Sequence, residues 1–111
     1  MADLKVEIVE RPRALVARIV GEAGLADANT LEAHLTRLAT RSSPLFVLDL
    51  SGLRFISSLG MGAIVSFRNR IVHGGGKVRI AAAQPLVAEA FGRAHLNEVF
   101  DVHPTVEAAL V

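Results

Sequence analysis

Cysteine, tryptophan and tyrosine are all absent from this sequence of 111 residues. Without cysteine, the chain has no disulfide bonds and no thiolate chemistry. Twelve basic and eleven acidic residues leave a formal net charge of +1, whereas nucleic-acid-binding domains typically combine a strongly basic surface with aromatic side chains on which bases stack. We therefore expect no direct binding to DNA or RNA.

Long hydrophobic runs are also missing. No apolar run approaches the roughly 20 residues that a membrane-spanning helix needs, so we expect no direct membrane insertion. The segment Met1–Lys5 does not have the charged region and long apolar region of a secretion signal, and we expect a cytoplasmic protein. Hydrophobic residues still make up 51% of the sequence, enough for a well-filled core, and the length predicts one domain over residues 1–111.

The hydrophobic pattern predicts a mixed α/β fold. Leu4, Val6 and Ile8 alternate as in a half-exposed strand, and Pro12 lies in a turn before a second strand over 14–20. The short connection makes these two strands an antiparallel hairpin. After a loop at 21–26, strands are predicted at 45–48, 77–81 and 99–102, and helices at 27–40, 59–73, 85–94 and 105–110. This alternation predicts a sheet of about five strands, the later ones parallel, covered by about four helices.

Three of the predicted helices have an apolar face at helical spacing. These faces contain Leu31, Leu35 and Leu38 in the first helix, Met61, Ile64, Val65, Phe67, Ile71 and Val72 in the second, and Leu86, Val87, Ala90, Phe91 and Ala94 in the third. Asp27 or Asn29 is expected to cap the first helix. Arg68 falls within the second apolar face. We expect its stem to lie along the core edge with its guanidinium in water; a contact surface is the alternative.

The segment 44–72 contains the features around which the chain is organised. Its apolar run, 45–48, ends in Asp49 and predicts a strand buried on both faces. A short polar turn, two apolar residues and the paired serines Ser57 and Ser58 follow, and then a leucine and two closely spaced glycines. A hydroxyl at a helix start accepts a hydrogen bond from an unpaired backbone N–H group, so we expect one of these serines to cap the second helix.

The same segment resembles the signature of the STAS domain, the anti-sigma factor antagonist family. Asp49-Leu50-Ser51, then Ser57-Ser58, then Gly60-Met61-Gly62 are similar to a family pattern of Asp-Leu-Ser, a short spacer and Phe-hydrophobic-Asp-Ser-Ser-Gly-Leu-Gly. The resemblance extends over nearly the whole chain, including the glycines and lysine at 74–77. It implies the STAS fold, and it implies that Ser58 matches the serine that partner kinases phosphorylate in the family.

The resemblance further implies an anti-sigma factor antagonist. Such a protein binds an anti-sigma factor with serine kinase activity and so releases a sigma factor. Phosphorylation at Ser58 switches it off, and a serine phosphatase restores it. The expected docking surface is the loop and helix start that contain Arg54, Ile56, Ser57, Ser58, Leu59, Gly60, Met61 and Gly62. We expect a monomer or weak dimer.

Three positions depart from the family pattern. Ser57 stands where an acidic residue usually precedes the phosphorylated serine, Leu59 replaces the second serine, and Gly24 stands where another acid often follows the second strand. Three hypotheses stay open: phosphorylation at the matched serine, phosphorylation at Ser57 instead, and a constitutive binder without a switch. Glu22 and Asp27 are candidates to replace the missing loop acid.

Enzymatic activity is not expected. No histidine or lysine lies close to Ser58 in the sequence to activate it as a nucleophile, and the histidines, at 34, 73, 95 and 103, have no metal-ligand spacing. The segment Gly74-Gly75-Gly76-Lys77 follows a helix and lacks the form of a phosphate-binding loop, so it predicts a left-handed helix end. We predict no catalytic residue, no cofactor and no metal.

An alternative function is a non-switching STAS module that serves as a scaffold or subunit of a lipid-transport or stress-sensing complex. Such a module forms a stable complex without accepting phosphate. Incubation with a candidate kinase and ATP therefore separates the two hypotheses.

Overall fold

The computed structural model describes residues 4–111; the first three residues, part of the segment considered above for a secretion signal, lie outside the described residues. Its strands are β1 (Lys5–Arg11), β2 (Ala14–Ala23), β3 (Leu45–Ile56), β4 (Lys77–Ala81) and β5 (Asp101–His103). Its helices are α1 (Ala28–Leu38), α2 (Ser58–His73), α3 (Pro85–Arg93) and α4 (Val106–Leu110), with a short 3-10 helix at Leu96–Glu98. No helix within residues 4–111 combines the length and the apolar character that crossing a membrane requires.

The five strands form one sheet in sequential order, β1-β2-β3-β4-β5. β1 and β2 pair antiparallel as a hairpin, and the other three pairs are parallel. The predicted mixed sheet with four helices is confirmed. Because β2, β3 and β4 run in the same direction, they end on one side of the sheet, at Ala23, Ile56 and Ala81. We call this side the carboxyl edge.

β2 and β3 extend further toward the carboxyl edge than predicted. Residues 21–23, predicted as loop, belong to β2, and β3 continues to Ile56, through the segment after Asp49 where a short polar turn was expected. Register shifts within residues 18–22 allow the two strands to stay paired. Gly21 has a φ of 118° there, a conformation that residues with a side chain rarely adopt. Both strands therefore deliver their last residues to the same place.

The main core lies between the sheet and helices α1, α2 and α3. The leucines of the predicted α1 face, at 31, 35 and 38, are buried there, which confirms that face. Phe46 of β3 meets Phe67 of α2 edge to face, with ring centroids 5.5 Å apart. Val47 lies in a smaller cluster with Ala109 of α4. Consecutive strand residues point to opposite faces, so β3 is buried on both faces, as predicted.

Other helix details confirm some predictions and correct others. α1 begins at Ala28, so Asn29 lies inside it, and Asp27 occupies the cap position without a side-chain capping bond. The predicted apolar faces are wrong at three residues, all of which are exposed. Val72 borders an open groove beside β4, and Leu86 precedes the buried residues of α3. The residue at position 94 lies past the end of α3.

The second half of α2 follows the prediction closely. Ile64, Phe67 and Ile71 are buried. Arg68 is half-buried, and its Nη1 donates to Asn69 Oδ1 at 3.2 Å on the surface, as the favoured interpretation requires. The helix ends before the left-handed residue Gly75, with a φ of 94°, which confirms the predicted type of helix end.

The last strand is displaced from its predicted position. β5 covers residues 101–103 instead of 99–102. Phe100 is buried against Phe91 of α3, with ring centroids 6.1 Å apart. The apolar run is therefore used in part for packing before the strand begins.

Candidate functional site

The site begins where β2 and β3 end together at the carboxyl edge. Ala23 and Ile56 are paired residues, and Ser57 N donates a hydrogen bond of 2.8 Å to Ala23 O. Chain direction changes at this point, because α2 starts at the next residue, Ser58. This hydrogen bond fixes the start of α2, which follows β3, to the end of β2.

Ser57 caps α2. Its Oγ accepts a hydrogen bond from Gly60 N at 3.1 Å, and its carbonyl oxygen accepts from Met61 N at 2.9 Å. The residue is only 9% exposed. The prediction that one of the two serines caps the helix is confirmed, and the hydroxyl of Ser57 is occupied by this structural role.

Removing the capping hydroxyl tests this role. We expect Ser57→Ala to lower the free energy of unfolding by about 0.5–2 kcal/mol, because the N–H group of Gly60 loses its acceptor. Urea unfolding followed by circular dichroism measures the change. Ser66→Ala, at an exposed position of the same helix, is the matched control and should stay within ~0.5 kcal/mol of wild type. A Ser57→Ala protein as stable as the control would contradict the assignment.

The two glycines of the motif serve different purposes. A Cβ added to Gly60 would lie 3.0 Å from Ile56 Cγ1 and 3.1 Å from Ala23 O. Gly60 is therefore required for the close packing of α2 on the strand ends. A Cβ added to Gly62 would meet nothing within 4 Å, so the fold itself leaves room for a side chain there.

Asp49 of the Asp-Leu-Ser motif supports the same end of β3. Its Oδ1 accepts from Ser51 N at 3.0 Å, and Ser51 O accepts from Gln84 Nε2 at 2.7 Å. Asp49 is largely buried. These contacts connect β3 to the segment between β4 and α3, which is how this part of the motif positions the carboxyl edge.

Ser58 is exposed at the first position of α2. Large apolar side chains around it are exposed as well: Leu59 to 61% and Phe55 to 44%. Two further exposed leucines lie at the carboxyl edge, Leu25 in the loop after β2 and Leu86 in the first turn of α3. Exposed apolar side chains clustered on one side of a domain are typical of a protein-binding surface.

The structure brings the eight predicted site residues together, but not all at the surface. Arg54, Ser58, Leu59 and Gly62 are exposed, Met61 is half-buried, and Ile56, Ser57 and Gly60 are buried. The three buried residues pack beneath the exposed ones and support them. Arg54 forms an ion pair with Glu22, with Arg54 Nη2 3.5 Å from Glu22 Oε2.

A groove of about 450 Å³ lies beside Ser58. One wall contains Phe55 and Met61, and the other contains three residues of α3 and its end: Ala90, Arg93 and Ala94. None of these α3 residues was predicted at the site from the sequence. Their spacing shows that they share a helix face, but only the packing of α3 beside the start of α2 brings them to the serine.

Arg93 is the one charged side chain in the lining of this groove, as far as residues 4–111 describe it. Its lining contains no histidine, lysine or carboxylate that could accept a proton from Ser58. No group of three histidine or acidic residues in the described part of the chain is arranged to hold a metal ion. The site therefore offers an exposed hydroxyl beside an apolar surface, an arrangement suited to binding.

Comparison with known sequences places the chain among related proteins. The STAS domain family model matches residues 5–109. The anti-sigma-F factor antagonist RsfA of Mycobacterium tuberculosis is 29% identical over 110 residues, which cover 96% of this chain and 85% of RsfA. BtrV of Bordetella bronchiseptica, named for the role of an anti-sigma factor antagonist, is 30% identical over 95 residues, covering 86% of this chain and 82% of BtrV.

Solved structures share the fold. An anti-sigma factor antagonist from Mycobacterium paratuberculosis has a TM-score of 0.88 at 22% identity, covering 97% of this chain and 92% of that chain. The anti-sigma factor antagonist SpoIIAA in its unphosphorylated form has a TM-score of 0.77 at 19% identity, covering 96% and 92%. The phosphorylated form of SpoIIAA has a TM-score of 0.69 at 18% identity, covering 96% of each chain. With the family match over nearly its whole length, the chain belongs to the STAS domain family.

Proposed function

We propose that this protein is an anti-sigma factor antagonist that works in the cytoplasm. It binds an anti-sigma factor with serine kinase activity and so releases a sigma factor. Phosphorylation of Ser58 ends the binding, and a serine phosphatase restores it. The relatives RsfA and BtrV have antagonist names, and SpoIIAA has been solved in a phosphorylated form. The observation that supports the proposal most directly is the exposed hydroxyl of Ser58 among exposed apolar side chains.

The proposed docking surface is the exposed part of the carboxyl edge together with the half-buried Met61. Its residues are Leu25, Arg54, Phe55, Ser58, Leu59, Met61, Gly62 and Leu86. A few well-packed residues near the centre of such a surface supply most of the binding free energy in protein complexes. Aromatic and methionine side chains, here Phe55 and Met61, are enriched at such interfaces. Gly62 presents bare backbone beside them, so a partner can approach α2 closely there.

Ser58 is the proposed phosphate acceptor. The kinase moves the γ-phosphoryl group of ATP to the Ser58 oxygen, the hydroxyl proton passes to a base of the kinase or to solvent, and ADP leaves. The hydroxyl of Ser57 is a weaker candidate because it is buried and accepts the hydrogen bond from Gly60 N. Phosphorylating Ser57 would require breaking the helix cap first.

The charge of a phosphate explains how one modification can act as a switch. A phosphoserine adds about −1.5 to −2 charges. The start of α2 tolerates this charge, because the positive end of a helix and its free N–H groups favour an anion. A partner packed over the same surface would have to strip water from the dianion without replacing it, which is costly. The domain therefore stays folded while its complex is broken.

Mass spectrometry tests the proposal. Incubated with its kinase anti-sigma factor, Mg²⁺ and ATP, the wild-type protein should gain the mass of one phosphoryl group, and fragmentation should place the group on Ser58. Ser58→Ala should gain none. Ser57→Ala should still be modified at Ser58.

A non-switching scaffold is the competing function, and the same experiment separates it. A stable complex with no phosphate transferred to any serine would support the scaffold and contradict the switch. Phosphate found on Ser57 in the wild-type protein would contradict the assignment of the acceptor.

A further inference from the structure

Arg93 lines the same groove as Ser58, the proposed phosphate acceptor. Eight residues line this groove: Phe55, Ile56, Ser57, Ser58, Met61, Ala90, Arg93 and Ala94. Of this lining, drawn from residues 4–111, Arg93 alone is charged. A negative charge added to Ser58 would therefore have one guanidinium, that of Arg93, as its charged neighbour in the groove lining.

The surroundings of Arg93 leave its guanidinium able to move. Its side chain is 68% exposed and forms an i,i+4 ion pair with Glu89 on the same helix. An exposed pair of this kind contributes little to stability and is weakened further by salt. Ala90 and Ala94, which flank Arg93 on the wall of the groove, have methyl side chains that leave the space toward Ser58 open.

We propose that Arg93 binds the phosphate of phosphorylated Ser58, an inference that rests on the proposed function. A guanidinium offers parallel N–H donors that match two phosphate oxygens, and such bidentate pairs are stronger than a pair with one hydrogen bond. The phosphate dianion outcompetes the single negative charge of Glu89 for Arg93. Modification then joins the start of α2 to the end of α3 through an intramolecular ion pair.

This ion pair would determine where the phosphate sits. Held against α3, the dianion lies over the groove, opposite the wall that contains Phe55 and Met61, instead of extending into solvent. The apolar part of the proposed docking surface is then covered by a bound charge with its water. Arg93 therefore acts in the modified state as a positioning residue for the switch.

Other ionisable groups at this end of the molecule include two pairs and an acid. Arg54 pairs with Glu22 at the ends of β3 and β2, His95 contacts Glu98 after α3, and Asp27 lies in the loop after β2. Glu89 is the carboxylate that contacts Arg93 directly. A titration of the phosphate must therefore be read beside a variant of Glu89.

The experiment measures the second pKa of the phosphate, which is about 6 in an unperturbed phosphoserine. Phosphoserine is installed at position 58 during translation through a reassigned stop codon, so no kinase is needed. ³¹P NMR then follows the phosphate signal with pH. A nearby guanidinium favours the dianion and lowers this pKa, and we expect Arg93→Gln to raise it by roughly 0.3–0.7 units. Arg93→Lys should retain most of the lowering, and Glu89→Gln should lower the pKa further.

Arg37→Gln is the matched control. Arg37 is an exposed arginine in the last turn of α1, away from the carboxyl edge, and its loss changes the net charge equally. At physiological ionic strength its effect on the phosphate is screened, so the pKa should not move. An equal pKa in wild type and Arg93→Gln, or an equal shift in Arg37→Gln, would overturn the proposal. Because the phosphate is installed without the kinase, failure of the kinase assay above leaves this result unaffected.

Discussion

Ser58→Asp is expected to raise the dissociation constant for the kinase anti-sigma factor roughly tenfold or more, or ~1.4 kcal/mol of binding free energy. Ser58→Ala is expected to bind as wild type. The carboxylate places one negative charge at the centre of the proposed docking surface, where packing of a partner removes its water. Alanine adds no charge and removes only a hydroxyl, so the apolar contacts of Leu59 and Phe55 are kept.

Isothermal titration calorimetry with the ADP-bound kinase measures both affinities, because no phosphate can be transferred under these conditions. Ser66→Asp is the matched control, since it places the same charge at an exposed position two turns further along α2. Its affinity should equal that of wild type. An aspartate at a helix start is tolerated by the fold, so urea unfolding should show Ser58→Asp to be as stable as wild type. Equal affinities for the aspartate and alanine variants at position 58 would contradict the switch.

Gly60→Ala and Gly62→Ala are expected to change stability in opposite directions. The methyl at position 60 would lie 3.0 Å from Ile56 Cγ1 and 3.1 Å from Ala23 O, and overpacking of this kind costs about 1–3 kcal/mol. The melting temperature should fall by roughly 4 °C per kcal/mol. The methyl at position 62 meets open space, so replacing a helical glycine there should stabilise the protein by up to about 1 kcal/mol.

Thermal and urea unfolding of the two variants in parallel provide the measurement, with each variant serving as the control of the other. The affinity for the partner should also distinguish the two variants. Gly62→Ala should weaken the complex roughly fivefold or more, because the new methyl stands where a partner approaches the backbone. A Gly60→Ala protein of wild-type stability would contradict the packing role of Gly60. A Gly62→Ala protein with unchanged affinity would contradict close approach at position 62.

Periodicity predicted the architecture because burial in this fold follows simple spacing. The leucines of α1 repeat every three or four residues and are buried, and the strand–helix alternation after the hairpin produced parallel pairing. Boundaries were harder to predict. Ser51 and Gly52 have the composition of a turn, yet β3 continues through them because β2 stays paired alongside with shifted register. That pairing depends on Gly21, which is distant in the sequence.

The candidate site was predicted in part, for a physical reason. Ser57 as a cap follows from local chemistry, since a hydroxyl before a helix accepts a bond from a residue three positions on. The exposure of Leu86 and the approach of Arg93 depend on how α3 packs beside α2. The spacing of residues along either helix does not predict tertiary contacts of this kind. The different roles of Gly60 and Gly62 depend on tertiary packing as well, because a Cβ at position 60 would meet Ala23 whereas one at position 62 would meet nothing.

Strand order also affects how the chain folds during synthesis. Each strand after β1 pairs with the strand before it, so its partner has already been synthesised when it leaves the ribosome. Short intervening segments keep the entropy of each closure modest, and contacts between segments close in the sequence favour fast folding. No unpaired strand has to wait for a distant partner, which shortens the time during which the nascent chain is open to aggregation.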